Sequence, residues 1–90
     1  MKRLEVTIKG EVQGVSFRYF VYEKARELGL VGTVKNMPEG EVSIVAEGEE
    51  AALQELLESV TRGPRFAKIE KVESTWKEST GEFAKFSIIY

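Results

Sequence analysis

Residues 4–29 read LEVTIKGEVQGVSFRYFVYEKARELG, and the spacing of their apolar side chains changes half-way along. From Leu4 to Val12 apolar and polar residues alternate, which predicts a strand with one buried face. From Phe17 to Leu28 apolar residues recur at intervals of three and four, which predicts an amphipathic helix that stops at Gly29. This segment is therefore a strand, a glycine-containing loop and a helix.

The rest of the chain continues with elements of similar length. Because 90 residues allow a single hydrophobic core, we expect one domain over residues 1–90. The order predicts an α+β, ferredoxin-like split β-α-β sandwich, βαββαβ plus a C-terminal strand, with two helices on one face of an antiparallel-dominated sheet. The further predicted elements are strands at 31–36 and 41–47, a helix from residue 49 to the break at Gly63-Pro64, a bulged strand at 67–76 with Trp76 in the core, and a strand at 83–90.

Composition excludes several classes of function. The chain has no cysteine and no histidine, so thiolate nucleophiles, phosphohistidine and imidazole catalysis are impossible. A net charge of −2 gives no general attraction for nucleic acid or membrane surfaces. With no long apolar run and no leader pattern at the amino end, we expect a cytoplasmic protein without membrane or nucleic-acid partners.

The loop Gly10–Arg18 falls at the junction of the first strand and the first helix. The opening turn of a helix has backbone N–H groups without intrahelical partners, and Gly14 permits a turn that directs them at one anion. Arg18 opposes the helix dipole at a cost of about 0.3–1 kcal/mol, which a bound anion would reverse. The alternative is a tight turn with a solvated arginine, and spacing alone does not separate the two.

Asn36 ends the second predicted strand just before the turn Met37–Gly40. Asparagine is common at such positions for purely structural reasons. In a split β-α-β unit, however, the first and second strands run parallel and end at the same edge of the sheet. We therefore expect Asn36 to face the loop that ends at Arg18, where its amide could hold a water molecule.

Two segments of the chain resemble the acylphosphatase family. Gly10-Glu11-Val12-Gln13-Gly14-Val15-Ser16-Phe17-Arg18 is similar to the first signature, G-x-V-Q-G-V-x-F-R, at every specified position. The segment from Gly32 through Asn36 to Gly48 resembles the second signature. The likeness extends over nearly the whole chain, as far as Tyr90. A nine-residue motif joined by a second at the right spacing is strongly specific.

The resemblance assigns roles to individual residues. It implies that Arg18 binds phosphate and that Asn36 orients the attacking water. It also implies phosphate-binding backbone N–H groups at Gln13, Gly14, Val15, Ser16, Phe17 and Arg18. Two positions depart from the family: Thr33 stands where a large apolar residue is frequent, and Met37 where a hydroxyl residue is common. These departures put the turnover rate in question more than the activity.

The implied reaction is hydrolysis of an acyl phosphate to a carboxylate and inorganic phosphate by direct attack of water. This activity makes the chain a hydrolase acting on acid anhydrides. A carboxylate leaving group, with a conjugate acid of pKa ~4, needs no general acid. We expect no cofactor and no metal, because the pairs Glu49-Glu50 and Glu39/Glu41 look like solvated surface carboxylates. We also expect a monomer.

Three other interpretations remain open at the level of sequence. An RNA-binding module of the same fold would display aromatic residues on its central strands, and the predicted third strand has none. A noncatalytic module could hold a phosphorylated metabolite with the same loop. An acylphosphatase-like module can also be part of a larger carbamoyl-transfer protein, although nothing in the sequence as far as Tyr90 supports that interpretation.

Overall fold

The computed structural model describes the backbone of residues 1–90 and every side chain except that of Val15. Five strands form one sheet in the order β4-β1-β3-β2-β5, and the helices α1 and α2 cover one face of it. The elements are β1 (Lys2–Glu11), α1 (Val15–Glu27), β2 (Val31–Asn36), β3 (Val42–Gly48), α2 (Glu50–Arg62), β4 (Lys68–Glu78) and β5 (Phe86–Ile89). The predicted fold class is confirmed.

The direction of the strands places two predicted site segments together. β3 runs antiparallel to both β1 and β2, so β1 and β2 are parallel and end at the same edge of the sheet. β5 joins the outer side of β2 in parallel, and the remaining pairings are antiparallel. The loop after β1 therefore shares an edge with Asn36 at the end of β2.

The core lies between the sheet and the two helices. Alternate residues of β1 are buried, as the period of two predicts, and Val12 continues the buried series just beyond the strand. α1 contributes Phe17, Val21 and Ala25 to the same cluster, at the spacing that predicted its buried face. Each helix has 13 residues, and no helix within the described chain is long and apolar enough to cross a bilayer.

A bulge in β4 lies beside the start of the loop. The register moves from Lys9 opposite Lys71 to Gly10 opposite Ile69, so Glu70 is an extra residue on β4, as the broken alternation predicted. Gly10 has φ 139°, and a β-carbon there would lie 2.0 Å from the carbonyl oxygen of Lys68. The first glycine of the loop is thus required for close backbone packing.

Two predictions about the fold are wrong. The last strand begins at Phe86 and not at Phe83: residues 79–81 bond the side chain of Glu47, and the chain pairs with β2 only from Phe86 onwards. Trp76 is not in the core: it is 38% exposed. Its partner Leu4 is fully buried, but β4 is an edge strand, so Trp76 has a neighbouring strand on one side only.

Candidate active site

The amino end of α1 forms one side of the site. Gly14 precedes the helix with φ 118° and ψ 166°, in the positive-φ region that favours glycine. It offers no side chain as a cap, and the first turn of the helix carries no carboxylate. The N–H of Arg18 donates to the carbonyl of Gly14 at a long 3.5 Å and is the first N–H of the helix to do so. The N–H groups of the residues before Arg18 therefore have no acceptor within the helix. A helix end of this kind favours an anion.

Arg18 is buried at this helix end, with only 7% of its surface exposed. Its Nη1 donates to the carbonyl oxygen of Ile89 at 3.2 Å, and its Nε lies 3.5 Å from the carbonyl oxygen of Gly14. The ring of Tyr90 covers the guanidinium at 4.8 Å. None of the ion pairs among the described side chains includes Arg18. A buried cation whose partners are all neutral can gain considerably from an anionic ligand.

Asn36 lies on the face of the sheet that the helices cover. It stands opposite Val42 in the antiparallel β2–β3 pair, and opposite residues point to the same face. Val42 and Val34, two residues before Asn36, are fully buried. Asn36 Oδ1 is also buried and has no hydrogen-bond partner, the one such side-chain oxygen or nitrogen among the residues described. An acceptor in this state costs about 1–3 kcal/mol unless a donor reaches it.

The strand register brings Arg18 and Asn36 to one end of the molecule. Ile89, whose carbonyl accepts from Arg18, lies beside Lys35 in the parallel β2–β5 pair. Lys35 directly precedes Asn36. On the other side, Val42 connects Asn36 in β2 with Ile8 near the end of β1. With adjacent strands about 4.8 Å apart, Asn36 is about 10 Å from the backbone that leads into the loop.

The turn after Asn36 is tied directly to the loop. Gln13 Nε2 donates to the carbonyl oxygens of Met37 and Glu41, at 3.1 and 3.0 Å. These two residues also close the turn, because Met37 N–H donates to the Glu41 carbonyl at 2.7 Å. The sequence-based interpretation considered only the backbone of Gln13 and missed this role of its side chain. An exposed glutamine in a loop gives no signal that could have revealed it.

Comparison with known proteins agrees with the motifs. The sequence model of the Acylphosphatase family matches residues 4–88. An acylphosphatase of Thermus thermophilus is 48% identical over 81 residues, which are 90% of this chain and 92% of that protein. The chain belongs to the acylphosphatase family.

Solved structures support the same assignment. The crystal structure of acylphosphatase from Bacillus subtilis superposes with a TM-score of 0.94 at 42% identity, over the full length of both chains. The structure of HypF from T. kodakarensis matches with a TM-score of 0.84 at 33% identity. That match covers this whole chain but only 12% of HypF. Membership of the acylphosphatase family makes this chain a hydrolase, and the RNA-binding and noncatalytic interpretations are not favoured.

Several carboxylates line a cleft beside the loop Gly10–Arg18. A cleft of about 460 Å³ beside the loop is lined by Lys9, Glu11, Glu39, Glu41 and Glu70. Lys9 Nζ lies 3.2 Å from a carboxylate oxygen of Glu41. Within the described part of the chain, no three acidic side chains are close enough together to hold a metal ion. Glu39 is exposed and Glu41 is half-buried.

A buried carboxylate at the opposite end of the sheet was also missed. Glu47 is 2% exposed and accepts hydrogen bonds from Arg3 Nη1, Ser79 Oγ, and the N–H groups of Thr80 and Gly81, all at 3.0 to 3.1 Å. Burial raises the pKa of a carboxyl, but these bonds, with that of the Thr80 hydroxyl, outweigh it and lower the pKa of Glu47 to about 2. The alternation of β3 places Glu47 on the face opposite the buried Ala46, where a carboxylate is expected to be solvated, and gives no sign that residues 79–81 fold over it.

Proposed function

We propose that the chain hydrolyses acyl phosphates to a carboxylate and inorganic phosphate by direct attack of water, with Arg18 binding the phosphoryl group and Asn36 orienting the water. The observation that carries the proposal is the buried Arg18 guanidinium, which has only neutral partners and lies at an uncapped helix end. A phosphoryl group is the anionic ligand that suits this combination. Arginine binds two of its oxygens with a planar fork and stays charged at any working pH.

The backbone completes the anion site. We assign the other phosphate donors to the N–H groups of residues 13–18, which run from the loop into the first turn of α1. The N–H of Arg18 is the least available of them, because it already donates to Gly14. Fixed backbone dipoles need no reorganisation as charge spreads over the transferring phosphoryl group, so their stabilisation of the transition state is large.

Asn36 supplies the acceptor for the nucleophile. In this proposal a water molecule donates one hydrogen bond to Asn36 Oδ1, which has no partner among the described residues. That bond directs a lone pair of the water towards phosphorus. The new O–P bond forms as the bond from phosphorus to the acyl oxygen breaks. The water proton passes to a phosphoryl oxygen, and the acyl group leaves as a carboxylate.

The residues available agree with this route. A carboxylate departs without protonation, because its conjugate acid has a pKa of ~4. The chain has no cysteine or histidine that could form a phosphoenzyme. We further propose that the enzyme acts on small molecules as a cytoplasmic monomer, independently of metal ions and nucleic acid.

The test is the release of benzoate from benzoyl phosphate, followed by ultraviolet absorbance with and without a chelator. We expect turnover that the chelator does not change. Asn36→Ala should lower kcat at least about 100-fold while inorganic phosphate still inhibits with an unchanged constant, because the loop is intact. Gln54→Ala, at an exposed position of α2, is the control for substitution of an amide side chain.

Three results would contradict the proposal. Retained turnover in Asn36→Ala would remove the role of that residue. Loss of activity with chelator would indicate a metal-dependent reaction. A wild-type chain that binds phosphate in a calorimeter but releases no benzoate would be the noncatalytic binding module instead.

A further inference from the structure

The side chain of Gln13 connects the phosphate-binding loop with the turn that follows Asn36, and the proposed reaction needs these two segments in a fixed relative position. It extends from the loop that follows β1 and reaches the β2–β3 turn, where Nε2 donates to the carbonyl oxygens of Met37 and Glu41 at 3.1 and 3.0 Å. A carboxamide nitrogen has two N–H groups, so both are used. Of the hydrogen bonds between described side chains and backbone, these are the two that join the loop to the turn.

The two carbonyl groups lie next to the Asn36–Val42 pair, one on each strand and both on the side of the turn. Met37 directly follows Asn36, and Glu41 directly precedes Val42. The turn is closed by Met37 N–H donating to Glu41 at 2.7 Å and by Gly40 N–H donating to Met37 at 3.0 Å. Gln13 therefore holds the base of the turn, and not its tip, so a shift of the bonded carbonyls moves Asn36 with them.

The position of the Asn36 carboxamide oxygen depends on the backbone, because in the part of the chain that the structure describes no protein group donates to Oδ1. The residue after it is Met37, whose side chain cannot donate a hydrogen bond to the amide. We propose that Gln13 is a positioning residue, whose side chain sets the Asn36 carboxamide against the phosphate-binding loop. This inference rests on the proposed function of Asn36. It adds a role that the backbone N–H of Gln13 does not provide.

A purely structural role does not account for these contacts. Gln13 is exposed, so its side chain contributes little to the core. The adjacent Val12 is 1% exposed and belongs to the hydrophobic core, so the loop has an anchor beside Gln13. Loss of the Gln13 amide should therefore leave the fold and the phosphate-binding backbone in place. What it should lose is the alignment of the water with phosphorus, where an error of about 1 Å can cost about 100-fold in rate.

The test variant is Gln13→Met, which keeps the length and neutrality of the side chain and removes both donors. Its matched control is Gln54→Met, at an exposed position of α2. With benzoyl phosphate as substrate, we expect kcat to fall about 10-fold or more in Gln13→Met. The inhibition constant of inorganic phosphate should stay within about twofold, because the backbone donors remain. The control should match the wild type in both.

Combination with Asn36→Ala separates positioning from a general effect. If Gln13 acts through Asn36, Gln13→Met has no further effect on kcat in the Asn36→Ala background, since there is no carboxamide to misplace. Equal losses in both backgrounds would overturn the proposal. So would a phosphate inhibition constant that rises as much as kcat falls, because Gln13 would then belong to anion binding.

Amide hydrogen exchange gives a measurement that does not depend on activity. The N–H groups of Met37 and Gly40 close the turn, and we expect both to exchange about 10-fold faster in Gln13→Met than in the Gln54→Met control. Unchanged exchange overturns the proposal. Faster exchange with an unchanged kcat overturns it as well, because Gln13 would then stabilise the turn without affecting the position of the attacking water. A wild-type chain without hydrolysis would refute the proposed function itself, and the positioning role with it.

Discussion

Replacement of the buried Glu47 by glutamine tests the electrostatic account of the end opposite the site. The pKa of Glu47 is about 2, against 4.5 for an unperturbed glutamate. One pH unit corresponds to about 1.4 kcal/mol, so the folded state favours this carboxylate by about 3 kcal/mol. Arg3, the charged donor to it, has a side chain 16% exposed, and solvent screens part of that interaction. We therefore expect Glu47→Gln to destabilise the protein by about 2–3 kcal/mol at pH 7.

The same contribution should disappear in acid. At pH values above about 4.5 Glu47 is ionised in both the folded and unfolded states, so its stabilisation is fully present. As the pH falls from about 4.5 to about 2, the unfolded chain takes up the proton and the folded chain does not. The difference between wild type and Glu47→Gln should therefore shrink steadily over this range, to under about 1 kcal/mol at pH 2.

Urea unfolding followed by far-ultraviolet circular dichroism measures this difference. For a slope of about 1 kcal/mol per molar, we expect the midpoint to fall by about 2 M or more at pH 7. Glu58→Gln, which removes an exposed carboxylate of α2, is the control and should leave the midpoint nearly unchanged. Turnover at pH 7 should not change in either variant under native conditions. A difference that stays constant from pH 7 to pH 2, or that equals the control, would refute the reasoning.

Three further substitutions separate binding from stability. Arg18→Ala should lose turnover and bind inorganic phosphate at least about 10-fold more weakly, as measured by calorimetry. Unchanged phosphate affinity would place the anion elsewhere. Gly14→Ala meets no atom within 4 Å but must adopt φ 118°, so we expect about 1–3 kcal/mol of strain and weaker phosphate inhibition. Gly10→Ala would put a β-carbon 2.0 Å from the Lys68 carbonyl, and its midpoint in urea should fall further than that of Gly14→Ala. Equal effects in the two glycine variants would contradict the distinction.

Periodicity predicted the parts of this protein that depend on which side chains are buried. The alternation in β1, the apolar stripe of α1 and the bulge near Ile69 all appear where the spacing placed them. The direction of the strands also predicted that Asn36 and the loop Gly10–Arg18 lie at the same edge of the sheet. These features are local, or follow from a topology that few alternatives share.

The features that were missed depend on contacts between distant segments. Trp76 has the phase of a core residue, but it lies on an edge strand with a neighbouring strand on one side only, and it is partly exposed. Glu47 has partners in a loop 32 to 34 residues away, and Gln13 has partners in a turn 24 to 28 residues away. No pattern in the flanking sequence specifies which donor or acceptor a polar side chain will meet across such a distance.

The attachment of Arg18 to the carbonyl of Ile89 links the anion site to the order in which the chain folds. Seventy-one residues separate the two groups, and β5 reaches its place only by joining β2 in parallel, across a long stretch of intervening chain. Contacts between such distant segments form late, because the entropy of closing the intervening loop must be lost first. The ability to bind phosphate should therefore appear in the last phase of refolding, after α1, α2 and the β2–β3 hairpin have formed.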